Sequence, residues 1–173
     1  MRAARGRRIV AALALAVVAP LLSGCAVHGL AFVADKRVKI VSPRDQSKVQ
    51  LPLRLAWSST ISTTGPLEYA VFVDSHPMRP GQNIEDWIPP TDSCHFTPGC
   101  PNKSWLAQRF VFITTAHSLN LALVPTLPAS GGKSAENTHS VTIVLLNKQT
   151  GRRVGESAFL TTFQVVGRFA QND

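Results

Sequence analysis

The chain has no apolar run long enough to cross a bilayer. Its longest, Ile9 to Leu22, holds about 14 residues, against the roughly 20 that a spanning helix needs. Catalytic signatures are also missing. There is no Gly-x-Ser-x-Gly and no His-Glu-x-x-His. Gly132-Lys133-Ser134 has the tail of a phosphate-binding loop, but Leu127 stands where the first glycine belongs. Ser130-Gly131-Gly132-Lys133 fits Ser-x-x-Lys by letter and lacks the companion motifs. With no carboxylate pair and no Ser-His-Asp set apparent, the expectation is a non-enzymatic protein that uses no cofactor. Cys-x-x-Cys is absent, which removes the usual redox motif. Basic residues are scattered, with small clusters at Lys36, Arg37 and Lys39 and at Arg152-Arg153. Nucleic-acid binding wants a concentrated basic face, so nucleic acid is not expected as a partner.

What is present begins at the N-terminus. Arg2, Arg5, Arg7 and Arg8 precede the apolar run, and no acid lies among the first 24 residues. A basic region, a short apolar region and small residues before Cys25 read as a secretory signal. Leu22-Ser23-Gly24-Cys25 resembles the lipobox of bacterial lipoproteins: Leu, two small residues, Cys. The resemblance implies cleavage before Cys25 and a thioether-linked diacylglycerol on that residue. Palmitate belongs to the same lipid modification. It places the mature chain at the outer side of a membrane in a bacterial cell envelope. Two or more acyl chains anchor stably where one does not, so the membrane becomes a partner through Cys25 alone. The expected organisation is a signal peptide at 1–24, a tether at 25–36, one domain at 37–168 and a tail at 169–173. Four of the 18 Lys and Arg fall in the signal, so the +8 of the whole sequence drops to +4 in the mature side chains.

With Cys25 committed to lipid, Cys94 and Cys100 remain as an even pair in an oxidising compartment. Pro98-Gly99 supplies a turn between them. They are expected to form a structural disulfide worth about 2 kcal/mol on the chain-entropy model. A metal site using Cys94, His95 and Cys100 is the alternative.

From Val38 onward the pattern alternates with period two, the strand signature. Val38–Val41, Leu51–Trp57, Leu67–Asp74, Phe110–Ile113, Leu119–Val124, His139–Leu146 and Arg153–Val166 are the candidate strands. Leu67, Tyr69, Val71 and Val73 point one way, with Ala70 and Phe72 the other. Apolar residues on both faces suggest a central strand covered on each side. Asn147 to Gly151 reads as a hairpin turn, and Gly155 as a bulge. About seven strands and no convincing helix give an all-β, antiparallel β-sandwich. The stretch Val38 to Trp57 (strand, Ser-Pro, turn, then Leu-x-Leu-x-Trp) resembles the opening of bacterial immunoglobulin-like and fibronectin type III-like domains. The disulfide that joins the two sheets in antibody domains has no counterpart, because Cys94 and Cys100 are too close in sequence. Tyr69 is the only Tyr, so there is no tyrosine corner.

Residues 75–106 break the alternation. Six prolines, Trp87 and Trp105 lie there with no sustained period. A loop this long inside a compact domain is usually functional or needs a staple. His76, Met78, Trp87, His95 and Trp105 are therefore the candidate binding residues, for a protein or an envelope polymer. His76, Met78 and His95 also supply donors of the type that copper accepts outside the cytoplasm, which makes metal handling the second functional expectation.

Overall fold

A computed structural model describes residues 36–62, 64–126 and 138–166, apart from the side chain of residue 157. The expected signal peptide, the lipobox-like stretch, most of the expected tether, the Gly132 and Ser130 motifs and the C-terminal tail lie outside the described residues.

Eight strands form two sheets among the described residues. They are β1 (Val38–Ser42), β2 (Ser47–Val49), β3 (Leu53–Ser59), β4 (Leu67–Val73), β5 (Val111–Thr114), β6 (Ser118–Leu121), β7 (Thr138–Asn147) and β8 (Arg153–Val165). One sheet has the order β1-β3-β6 and the other β2-β8-β7-β4-β5. The arrangement is all-β and consistent with an immunoglobulin-like sandwich.

β2 is the strand that the expected set of about seven did not include. Its three residues are too few for alternation to register, and the sequence reads there as the end of a turn. β2 also adds one parallel pairing to an otherwise antiparallel sandwich. It pairs parallel with the end of β8, Ser47 opposite Phe163 and Val49 opposite Val165. The chain leaves β1, crosses to the other sheet for those residues, and returns to the first sheet as β3. Asp45 secures the crossing: its carboxylate accepts the Thr162 backbone N–H and hydroxyl, both at 2.8 Å.

The sandwich core lies between the sheets. Leu55 and Trp57 of β3 meet Val71 of β4, Ile143 and Leu145 of β7, and Phe163 of β8. β4 sits between β7 and β5, with Val71 opposite Ile143 and Phe112. Its odd-numbered residues enter this core. Ala70 and Phe72 enter a second one on the outer face of the sheet, with Val144, Leu146, Met78 and Leu106.

That second core is closed by the segment between β4 and β5. It also corrects the expectation of no helix. It holds two 3-10 turns, Glu85–Trp87 and Ser93–Phe96, and a six-residue helix α1, Lys103–Gln108. Asn102 caps α1 by accepting the Trp105 backbone N–H at 2.9 Å, the role for which Asn is favoured at that position. α1 is too short to stand by itself. Leu106, buried against the sheet, holds it there.

Candidate functional site

The cover segment starts at Asp74, where β4 leaves its sheet. Asp74 adopts φ 53°, a left-handed conformation that Asp tolerates better than most residues. Its backbone N–H donates to the Ser140 carbonyl at 2.9 Å, and its carboxylate accepts the Ser140 N–H at 2.7 Å. The other carboxylate oxygen meets His139 Nδ1 at 2.7 Å. Both side chains are buried, 5% and 4% exposed. This clasp joins the departure point of the cover to the second and third residues of β7. His139 reads in the sequence as an ordinary histidine at a strand start. Its partner lies 65 residues away, and no local pattern announces it.

The cover then crosses the outer face. The Trp87 indole N–H donates to the His76 carbonyl at 2.9 Å, and its ring lies edge-on to Phe72 at 5.6 Å. Farther along, Arg153 N–H donates to the Gln82 carbonyl and Ile84 N–H to the Gly151 carbonyl. Gly151 is required there. It has φ +62°, and a Cβ would stand 3.0 Å from the Ile84 side chain. Two side chains of the β7–β8 turn reach back as well: Arg152 Nε donates to the Gly81 carbonyl at 2.6 Å, and an Arg153 Nη donates to the Met78 carbonyl.

Its last third is a stapled platform. Cys94 and Cys100 are disulfide-bonded with Cα atoms 5.3 Å apart, within the normal span for the bond. Asp92 caps the 3-10 turn by accepting the Cys94 N–H at 2.9 Å. It also pairs with Arg109 at 2.9 Å, and the Arg109 guanidinium lies 3.5 Å over the Trp105 ring. The Cys94 N–H, followed by Arg109, holds the Asp92 carboxyl below its ordinary range. Thr97 closes the turn through its hydroxyl, which donates to the Ser93 carbonyl at 3.0 Å.

The five residues singled out by sequence are distributed unequally. Met78 is fully buried, in the outer core. Trp87 and Trp105 are half-buried against that core and act as its lid. His76 and His95 are exposed. The His95 ring lies 3.3 Å from the Ile88 carbonyl. Met78, Trp87 and Trp105 thus give the sheet apolar surface to bury, Met78 wholly and the two tryptophans in part. Met78 sulfur reaches a metal only if it leaves the core. Among the described residues, no three His, Cys, Asp or Glu side chains gather as a metal-binding group.

Sequence reasoning passed over Phe96. It sits between the two disulfide cysteines and is 83% exposed. Its position within the stapled heptapeptide was the available signal.

Comparison with family models, with curated proteins and with solved structures returned no match.

Proposed function

We propose that the chain is a lipid-anchored binding or assembly module of a bacterial cell envelope, held to the membrane through Cys25 and without enzymatic activity. The anchor rests on Leu22-Ser23-Gly24-Cys25 behind a basic and then apolar N-terminus. The binding role rests on one observation above the others. Phe96 contributes little burial, yet the loop that carries it is fixed by a disulfide, two side-chain caps and an ion pair. A large aromatic displayed on a rigid mount loses little conformational freedom on binding, and aromatic residues dominate interface energetics. The partner class is a protein or an envelope polymer.

Two measurements test this reading. Metabolic labelling with a fatty acid should mark the wild-type chain and not Cys25→Ser. Partner recovery from intact envelopes should fall with Phe96→Ser. That substitution leaves the cover in place, whereas deleting residues 76–106 would strip the outer core. Equal labelling of Cys25→Ser overturns the anchor, and equal partner sets with Phe96→Ser overturn the platform.

A further inference from the structure

The outer strands of the two sheets end them in different ways. β1 carries Lys39, a break in register between Ile40 and Ser42, and then Pro43. β2 has three residues with Lys48 in the middle. β5 begins at Val111, which is 0% exposed, so its edge is covered there. Shortness, charge, irregular register and cover are the devices that keep a sheet edge from pairing with another chain. β6 is four residues long and has none of the others. No charged residue, proline or glycine occurs from Ser118 to Val124, its register with β3 is unbroken, and Asn120 is exposed. The register also fixes which groups of β6 are free. Trp57 N–H donates to the His117 carbonyl at 3.0 Å. Hydrogen-bonded pairs recur at every second residue of an antiparallel ladder, so Leu119 opposite Leu55 and Leu121 opposite Leu53 carry the bonds to β3. Ser118 and Asn120 therefore turn their backbone N–H and C=O groups away from β3, and no hydrogen bond takes these groups up among the described residues.

We propose that the free edge of β6 is a homodimer interface, at which β6 pairs antiparallel with β6 of a second copy and the two three-stranded sheets become one. A twofold axis at Leu119 sets Ser118 of each copy opposite Asn120 of the other. These residues then form closely spaced pairs that exchange both N–H···O bonds, so every free group on the edge finds its complement. The side chains agree with this register. Leu119 and Leu121 belong to the inner core, and Leu119 is only partly buried; on the axis it meets its own copy. Ser118 and Asn120 lie on the opposite face, where hydroxyl meets amide. Cross-strand pairs of matched character are what stabilise a sheet. The edge carries no charge, so two copies do not repel along it although the whole chain has a net charge of +8. Nor does a charge there select a strand of different sequence. A second copy supplies both the register and the matched side chains.

Sedimentation equilibrium of the chain from residue 25 with Cys25→Ser tests this. Concentrations should reach about 1 mM, because so small a contact belongs to the weak class of interfaces. A reversible monomer–dimer equilibrium is expected. Asn120→Pro removes an outward N–H, and proline is tolerated on an edge strand where the N–H faces away from its neighbour. Asn120→Lys puts like charges on both sides of the axis, the device that other edges use. Each should weaken the dimer about tenfold or more and leave the denaturation midpoint of dilute protein near that of the parent chain. Hydrogen exchange at the Ser118 and Asn120 amides should slow as concentration rises, while the Leu119 and Leu121 amides, already bonded to β3, should not respond. A monomer at every concentration overturns the proposal, as does a dimer that both variants leave equally tight. Open-ended growth beyond the dimer overturns the twofold pairing. Where Asn120→Pro fails to fold, Asn120→Lys and the concentration dependence of exchange still decide. The probe chain carries no lipid and keeps Phe96, so failure here is separate from failure of the anchor or of the platform.

Discussion

The two faces of the five-stranded sheet are built from the same strands and closed by different means. The inner face meets a second sheet, so strand alternation specifies both sides of its interface. The outer face meets an irregular cover made of 3-10 turns, one short helix and a disulfide. Leu55, Val71 and Phe163 belong to the first, and Phe72, Met78 and Leu106 to the second. The contrast teaches that a long loop without periodicity can be a core-forming element, recognisable by how apolar the opposite face of a central strand is.

The largest effect that tests this contrast is truncation on either side of it. Phe163→Ala removes a fully buried ring from the inner core and should cost about 3–5 kcal/mol, read as a lower denaturation midpoint with unchanged slope. Leu106→Ala under the cover should cost about 2–5 kcal/mol by the same reasoning. The two should differ in what opens. Hydrogen exchange in the Leu106→Ala protein should speed up in Ser75 to Phe110 before it does in β7. If exchange instead rises equally throughout, the cover and the sandwich are one cooperative unit and the contrast is energetically empty.

Next in size is the clasp. Asp74→Ala leaves the His139 ring and the Ser140 N–H buried beside each other without their acceptor. Leaving two buried groups without their hydrogen-bond acceptor should cost about 2–3 kcal/mol. Because Asp74 links β7 to the start of the cover, the loss should appear on both faces. Limited proteolysis should cut after Asp74 more readily than in the Leu106→Ala protein. Intact resistance would show that the cover is held by packing alone.

What the sequence made legible follows the same division. The alternation of Leu53, Leu55 and Trp57, and of Tyr69, Val71 and Val73, encodes the inner core directly, because strand geometry sends every second side chain to one face. Ala70 and Phe72 announced that the other face is covered too. They could not say by what, since Met78, Trp87 and Leu106 reach it from a segment with no period. The disulfide was legible through cysteine parity. The Asp74–His139 clasp was not, because it joins residues far apart in the chain through strand pairing. β2 was hidden for a different reason: three residues are too few to alternate.

The staple gives a smaller effect. Cys94→Ser with Cys100→Ser should lower stability by about 2 kcal/mol on the loop-entropy model. The caps at Asp92 and Asn102 act on the same turns from within, so the platform should keep its fold at neutral pH and lose rigidity around Phe96. Exchange at Cys94 to Cys100 amides should rise while β4 stays protected. Protection lost in β4 as well would mean that the staple supports the sheet and is not confined to the cover.

The smallest effects are those of acid, and they fall on both faces. Asp45 at the sheet crossing and Asp92 on the platform each have a carboxyl held below the ordinary value of 3.8. The main causes are the Thr162 backbone N–H for Asp45 and the Cys94 backbone N–H for Asp92. A depressed folded pKa means that the contribution is full above the unfolded value and is lost as pH falls through the folded one. The affected window therefore lies below about pH 4 for both. Both groups sit at the surface, where solvent screens the gain, so the effect is a shallow slope in midpoint against pH. Asp45→Asn should flatten that slope for the β2 crossing and Asp92→Asn for the platform, each without changing the slope at the other. Local probes at Thr162 and at Cys94 separate them. If one substitution flattened both responses, the two faces would be communicating through the sheet, and the independence of cover and sandwich would have to be abandoned.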